Sequence, residues 1–304
     1  MARLPHALPL AIALLATTGA SRAIAQAARG ESRIVRPVVA GRAMRAKTGG
    51  LVGRAPGQPV VILEAGLLTP LDTWSGIFDG IATLAPVVSY DRRGIGASEF
   101  DGDTQTLSHV TASLHALLAE LKIAPPYILV GHSYGGILIR AFARQFPSEV
   151  AGLVYVDAPD TDLTQADLNR ITPKGRGSLP NELDQLPQDL PPGMKAEIDN
   201  MRRLVSGDLT ELNGLRPSSS IRSAVLMATG KFDRESDPTI QSIQQARLRL
   251  ARNHEMEWAL STPEGLFLVT RHGGHNMHQD NPELTVQAIR HIISVTSPPA
   301  TTPK

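Results

Sequence analysis

The sequence predicts an α/β fold in which a mostly parallel β-sheet is covered by helices on both faces. Short, unbroken apolar runs, which are typical of strands buried on both sides, alternate along the chain with segments of helical periodicity. The connections between these segments are short, as in strand–helix–strand units of a parallel sheet. The 304 residues suffice for one large domain with a substantial core.

The first residues have the pattern of a secretory signal peptide. Met1-Ala2-Arg3 supplies a positive charge, residues 8–15 form an apolar run too short to span a bilayer, and Ala23-Ile24-Ala25 is a small-x-small cleavage site. We therefore expect residues 1–25 to be removed and residues 26–304 to form the mature chain. The expected location is secreted or periplasmic, without a membrane anchor. A buried N-terminal helix is the alternative.

Composition narrows the classes of function. The chain has no cysteine, which excludes disulfides, thiol catalysis and metal–thiolate centres. Lys plus Arg number 30 and Asp plus Glu number 29, so no global charge attracts nucleic acid or an anionic membrane surface. We expect the partner to be a small molecule without strong charge.

The predicted elements follow in regular order. An edge strand over 34–39 comes first, and Pro125-Pro126 ends a helix before the strand at 127, because proline cannot continue a helix. The predicted strands are 34–39, 59–65, 86–90, 127–130, 152–156, 224–228 and 265–270. The predicted helices are 106–121, 137–146, 238–251 and 282–295.

Residues 160–220 interrupt this alternation. They are rich in proline, leucine and acidic residues, contain helical patches at 163–171 and 194–205, and have no strand pattern. A segment this long inside a compact fold favours a helical lid inserted between two strands. A disordered surface insertion is the alternative.

The strand at 127–130 turns directly into a helix through Gly131-His132-Ser133-Tyr134-Gly135. This is the G-x-S-x-G nucleophile elbow, in which glycines allow a sharp, strained bend with the serine hydroxyl exposed at its tip. The context of strand before and helix after is the one that the motif requires. Ser133 is therefore the predicted nucleophile, and a serine that merely caps the helix is the alternative.

Two backbone amides are candidates for holding a negative oxygen beside Ser133. The Tyr134 N–H lies at the first turn of the helix, where unpaired N–H groups and the positive end of the dipole point outward. The second donor is expected after the strand at 59–65, where Gly66 precedes a loop. We favour the Leu67 N–H, with Leu68 as the reserve; an ordinary strand-to-loop turn is the alternative.

A serine nucleophile needs a base, and the base needs a carboxylate. His275 is the predicted base because it follows the last strand in a glycine loop. Asp233, just past the strand at 224–228, is the favoured acid, and Asp157, at the end of the strand at 152–156, is the alternative. His272 and His278 lie three residues to either side of His275, but neither a zinc signature nor helical continuity accompanies them, so we expect no metal and no cofactor.

Five stretches together resemble the α/β-hydrolase superfamily, over about residues 59–295. They are LEAGL (63–67), DRRGIGAS (91–98), VGHSYGG (130–136), TGKFD (229–233) and GGHNMHQDNPE (273–283). The resemblance implies an eight-stranded, mostly parallel sheet, a Ser–His–Asp triad and a two-amide oxyanion hole. The chain has Glu64-Ala65-Gly66 where many members carry His-Gly. The stretch between Asp233 and His275 is also longer than usual, which keeps Asp157 as a candidate acid.

These features predict a serine hydrolase that cleaves a carboxylic ester of small to medium acyl chain through an acyl-enzyme. An aspartate at the elbow would instead indicate haloalkane or epoxide chemistry in this superfamily. Hydrolysis of an amide, lactone or carbon–carbon bond, or perhydrolysis, remains open, because fold does not fix function. A ligand-binding or sensor protein with an idle triad is the alternative from a different class.

Overall fold

The computed structural model describes residues 31–172, 183, 186–187, 189–206, 209–230 and 237–297. The expected signal peptide at 1–25 and the favoured acid Asp233 lie outside these ranges. The strands are β1 (Ser32–Val35), β2 (Val38–Val39), β3 (Arg42–Ala43), β4 (Ala46–Gly49), β5 (Val60–Glu64), β6 (Val87–Tyr90), β7 (Tyr127–His132), β8 (Val150–Val156), β9 (Arg222–Ala228) and β10 (Leu266–Thr270).

Among the described residues, the helices lie between and after these strands. They are α1 (Ser75–Ala82), α2 (Leu107–Glu120), α3 (Tyr134–Gln145), α4 (Gln165–Ile171), α5 (Pro192–Ser206), α6 (Thr210–Asn213), α7 (Pro238–Ser261), α8 (Met277–Asp280) and α9 (Pro282–Thr296). Each helix that the sequence predicted over 106–121, 137–146, 238–251 and 282–295 is present, and α7 continues ten residues beyond its predicted end.

Eight strands form one sheet in the order β1-β4-β6-β5-β7-β8-β9-β10. Along this order, every neighbouring pair in β6-β5-β7-β8-β9-β10 is parallel, whereas β4 is antiparallel to both β1 and β6. The predicted eight-stranded, mostly parallel sheet is therefore confirmed. Parallel strands place their carboxyl ends on one side of the sheet, and ligands bind at that side in folds of this kind.

The core has two layers, one on each face of the sheet. Successive residues of β5 alternate between them: Val60 and Ile62 pack with α2 and α3, whereas Val61 and Leu63 pack with α1 and α9. All four side chains are fully buried. This explains why the central strands are continuous apolar runs without polar alternation.

The N-terminal edge differs from the prediction. The expected strand over 34–39 is divided into β1 and β2 around Pro37, which has no N–H to give to a sheet. β2 and β3 then form a separate two-stranded hairpin. Strand β4 was not predicted from the sequence, and it joins β1 to the parallel part of the sheet.

Helices α4, α5 and α6 occupy the insertion between β8 and β9, and the described residues there contain no strand. Leu204 of α5, Leu212 of α6 and Leu215, which follows α6, share a buried cluster with Tyr134 and Ile137 of α3, the helix after the elbow. Leu67 and Met201 border the same cluster. The insertion therefore lies against the elements that follow β5 and β7.

None of the helices in the described ranges combines the length and apolar character that crossing a membrane requires.

Candidate active site

Ser133 sits at a strained bend between β7 and α3. Its φ of 51° and ψ of −123° lie in a region that non-glycine residues rarely adopt. A Cβ at Gly131 would overlap the Gly135 carbonyl, and one at Gly135 would overlap the Glu64 carbonyl. Glycine is therefore required on both sides of the serine, because the backbone approaches itself and β5 too closely for any side chain.

The bend leaves its polar groups available for a reaction. The Ser133 N–H donates to the Val156 carbonyl over 3.1 Å, which fixes the tip of the elbow to β8. Within the described part of the chain, neither the Ser133 hydroxyl nor the Tyr134 N–H has a hydrogen-bond partner. A hydroxyl and an amide that the described scaffold does not engage are what nucleophilic attack and oxyanion binding require.

His275 lies in the loop between β10 and α8, and its ring is held from one side by a carboxylate. Its Nδ1 is 2.6 Å from Oδ2 of Asp157. Its side chain is 47% exposed, whereas that of Asp157 is 1% exposed. The buried carboxylate accepts from Nδ1–H, so it fixes the tautomer in which Nε2 is free to take a proton.

Asp157 is itself fixed by the sheet. Its Oδ1 accepts from the Ala228 N–H over 3.0 Å, and its own N–H donates to the Leu226 carbonyl over 2.8 Å. Its φ of 45° turns the residue out of β8 immediately after the strand ends. Asp233, the acid that the sequence favoured, lies outside the described residues; among the described residues the carboxylate on His275 is that of the alternative, Asp157.

Two further histidines pack behind His275. The His132 ring lies 4.8 Å from the His275 ring and 4.5 Å from the His278 ring. His132 Nε2 is 2.9 Å from the His275 carbonyl, so it anchors the loop that carries His275. His278 bonds the Thr73 hydroxyl through Nε2 at 2.6 Å. Apart from the spacing of His272, His275 and His278, no sequence pattern indicates this cluster.

The three regularly spaced histidines do not converge on one point in the described structure. His275 faces Asp157, His278 faces Thr73, and His272 is exposed. The described residues hold another group of three potential metal ligands at the surface, Asp101, Asp103 and His109. In that group Asp101 is already bonded to Arg93 and His109.

The loop after β5 approaches the serine. A Cβ at Gly66 would lie 3.5 Å from the Ser133 Cβ, so this glycine allows the loop to pass beside Ser133. Among the described residues, the Leu67 N–H has no acceptor, whereas the Leu68 N–H donates to Glu197 Oε2 over 2.6 Å. The geometry therefore favours Leu67 over the reserve, Leu68, as the second oxyanion donor.

Glu64, which stands where many members of the superfamily carry histidine, belongs to a buried charged cluster. Its Oε1 accepts from Arg92 Nη1 at 2.7 Å, and its Oε2 accepts from the Tyr90 hydroxyl. Burial raises the pKa of Glu64. Burial also works against the charged form of Arg92, but the carboxylates of Glu197 and Glu64 outweigh it and raise the pKa of Arg92 well above its usual value.

Comparison with known proteins agrees with the fold. Residues 66–288 match the alpha/beta hydrolase family. An AB hydrolase superfamily protein of Gibberella zeae is 22% identical over 290 residues, which cover 79% of this chain and 88% of that protein.

Solved structures show the same likeness. A putative lipase from Acinetobacter baumannii superposes with a TM-score of 0.64 at 16% identity, covering 90% of this chain and 96% of its own. The epoxide hydrolase CorEH superposes with a TM-score of 0.61 at 15% identity, covering 87% and 99%. At these identities the likeness is one of fold, and the family match covers most of the chain. The chain belongs to the alpha/beta hydrolase family.

Proposed function

We propose that this protein is a serine hydrolase that cleaves carboxylic esters through an acyl-enzyme. The observation that carries the proposal is the pairing of His275 Nδ1 with the buried carboxylate of Asp157, on the loop that faces the elbow. This pairing leaves Nε2 as the base for a serine at a G-x-S-x-G bend. The hydrogen bond between nucleophile and base in such sites often tightens only when substrate binds.

In the proposed reaction, Ser133 Oγ attacks the ester carbonyl while His275 Nε2 takes its proton. The N–H groups of Leu67 and Tyr134 hold the oxygen that becomes negative in the tetrahedral intermediate. The protonated His275, supported by Asp157, then gives its proton to the departing alcohol. Water, activated by the same ring, cleaves the acyl-enzyme and restores Ser133.

The insertion helices favour a small to medium acyl substrate. Leu67 and Met201 border the apolar cluster that α5 and α6 form on the elbow helix, beside the proposed oxyanion donors. An apolar wall at this position suits an aliphatic acyl chain. We infer that the insertion acts as the lid of the site.

Epoxide hydrolysis is the second candidate, because CorEH shares the fold. The residue at the elbow argues against it: in this superfamily that chemistry uses an aspartate, which forms an alkyl-enzyme ester, and this chain has Ser133. Hydrolysis of amide, lactone or carbon–carbon bonds and perhydrolysis use the same serine and are separated only by substrate. A sensor with an idle triad would leave the serine unreactive.

The test is hydrolysis of p-nitrophenyl esters of increasing acyl length by the wild-type protein and by Ser133→Ala. We expect turnover of short and medium chains, and its loss in the variant with the fold unchanged by circular dichroism. Turnover that persists in Ser133→Ala would contradict the proposal. An epoxide or amide substrate that is consumed while all esters are inert would assign another reaction to the same site.

The N-terminal pattern supports export of the protein. We infer cleavage near residue 25 and a secreted or periplasmic location. Mass spectrometry of the protein purified from its native host would show a mature chain beginning near Gln26. A chain that retains residues 1–25 would contradict this inference.

A further inference from the structure

A buried carboxylate of the insertion reaches into the loop that carries the proposed oxyanion donor. Glu197, on α5, is 2% exposed. Its Oε2 accepts from the Leu68 N–H over 2.6 Å, and its Oε1 accepts from Arg92 Nε over 2.5 Å. Oε2 also accepts from Arg92 Nη2 over 3.1 Å. Three N–H groups thus converge on the two oxygens of one side chain.

Arg92 uses the rest of its guanidinium on the same loop. Nη1 donates to Glu64 Oε1 over 2.7 Å and to the Ala65 carbonyl over 2.9 Å, and Nη2 donates to the Gly66 carbonyl over 2.7 Å. Together with its two bonds to Glu197, the guanidinium makes five bonds, which equals its number of N–H donors. The guanidinium therefore links Glu197 to two consecutive carbonyls of the loop.

These bonds determine where the Leu67 N–H points. The peptide group between Gly66 and Leu67 is planar and trans, so its N–H is directed opposite to its carbonyl. Because the Gly66 carbonyl faces Arg92, the Leu67 N–H faces away from Arg92. The next amide, that of Leu68, is turned to Glu197, and Leu68 takes a φ of 58° in the left-handed region. Glu197 thus accepts from one of two successive amides, and the other, the Leu67 N–H, has no acceptor within the described ranges.

The start of α5 packs directly against the segment that carries Arg92. A Cβ at Gly94 would lie only 2.5 Å from the Gly193 Cα, so the two backbones are in direct contact. Gly193 lies four residues before Glu197, about one turn earlier on the same helix. This contact fixes the start of α5 beside the segment after β6, and from there the Glu197 side chain reaches both Arg92 and the loop.

We propose that Glu197 is a positioning residue for the oxyanion hole: through Arg92 and the Leu68 N–H, it fixes the loop so that the Leu67 N–H faces the substrate oxygen. The inference rests on the proposed ester hydrolysis. It also assigns the insertion a role beyond covering the site, because one of its helices completes the geometry of the catalytic loop.

The test compares Glu197→Gln with Asp199→Asn in the full chain. Both substitutions replace a carboxylate of α5 by an amide, but Asp199 is exposed and pairs only with Arg202 among the described residues. A glutamine at 197 would place an NH₂ group against at least one of the three converging donors. Because a small displacement of an oxyanion donor is costly, we expect kcat of Glu197→Gln to fall about 10- to 100-fold.

We expect Glu197→Gln to weaken stabilisation of the tetrahedral state and to leave substrate binding nearly unchanged. KM for a p-nitrophenyl ester stays within about twofold of wild type, while affinity for a boronic acid, which forms a tetrahedral serine adduct, weakens by about the same factor as kcat. Asp199→Asn stays within about twofold of wild type in all three quantities. Rates are expressed per active site titrated with a fluorophosphonate, so that partly unfolded protein does not contribute.

Three results would overturn the inference: kcat of Glu197→Gln equal to that of Asp199→Asn, a loss confined to KM, or unchanged boronate affinity. In each of these cases wild-type turnover would still support the proposed function. Wild-type protein that neither turns over esters nor labels with fluorophosphonate would overturn the proposed function itself. If Glu197→Gln yields no folded protein, Glu197→Asp carries the same test, because it retains the charge but is one methylene too short.

Discussion

The stability of this protein should depend on a histidine whose burial opposes the uptake of a proton. His278 is 1% exposed and packs between the rings of Trp74 and His132, each with its centroid 4.5 Å away. Its Nε2 bonds the Thr73 hydroxyl, and its Nδ1 is buried without a partner in the described structure. Burial, followed by positive charge on the neighbouring histidines, lowers the pKa of His278 from 6.5 to about 3.

The sign of the pH effect follows from the proton count. Between pH 6.5 and pH 3 the unfolded chain binds a proton at residue 278 that the folded chain does not, so the free energy of unfolding falls as the pH falls. Above pH 6.5 this contribution is complete and flat. With a pKa of 6.5 in the unfolded chain and about 3 in the folded chain, this one ring lowers the free energy of unfolding by about 2 kcal/mol between pH 8 and pH 5.

The measurement is urea denaturation of the wild-type protein and of His278→Gln at several values between pH 8 and pH 5. The variant keeps a partner for Thr73 but cannot be protonated, so its stability should fall by about 2 kcal/mol less than that of the wild type over this range. His272→Gln, the same substitution at an exposed ring, should leave the wild-type slope unchanged. Parallel curves for wild type and His278→Gln would refute the argument.

Two further predictions concern the acid and the packing of the insertion. Asp157→Asn should lower kcat for ester hydrolysis about 10³- to 10⁴-fold, as loss of the orienting carboxylate does in other triads. Asp233→Asn should leave kcat within about twofold of wild type. The opposite result in steady-state assays would assign the acid to Asp233 instead of Asp157. Gly193→Ala should destabilise the protein by about 1–3 kcal/mol in urea denaturation, because the new methyl group would overlap the Gly94 Cα. Gly80→Ala is the control, since no atom lies within 4 Å of a Cβ there, and equal stability of the two variants would contradict the packing argument.

The central sheet and the elbow could be predicted from the sequence, because burial on both faces leaves a local signal. Strands β5 and β7 are continuous apolar runs, and glycines on both sides of Ser133 are required by backbone contacts only a few ångströms long. Strand β4 has the sequence Ala46-Lys47-Thr48-Gly49, which lacks such a run. Its extended state depends on pairing with β1 and β6, which are distant in sequence.

The acid could not be decided by pattern alone. Asp157 and Asp233 each follow a predicted strand that ends on the same side of the sheet, so both satisfied the rule for the position of the acid. In the structure, Asp157 has a φ of 45° and accepts from the Ala228 N–H, and its carboxylate meets His275, whereas Asp233 lies outside the described residues. These features arise only when β8 lies beside β9 in the folded sheet.

The bond between Glu197 and Leu68 joins residues 129 positions apart, and neither has a local signature. A lone glutamate in a helical patch is normally a solvated surface residue. Its burial follows from the contact between the start of α5 and the segment after β6. The sequence predicted an insertion over 160–220, but the side chain that connects α5 to the loop after β5 could be identified only in three dimensions.

The most direct test of the account is covalent labelling of the wild-type protein with a fluorophosphonate, followed by mass mapping of the modified peptide. An activated serine attacks the phosphorus and retains the adduct, whereas a passive hydroxyl does not react. We predict one adduct per chain, on Ser133, and its loss when His275 is replaced by alanine. A wild-type protein that stays unlabelled, or carries the label on another residue, would contradict the central claim.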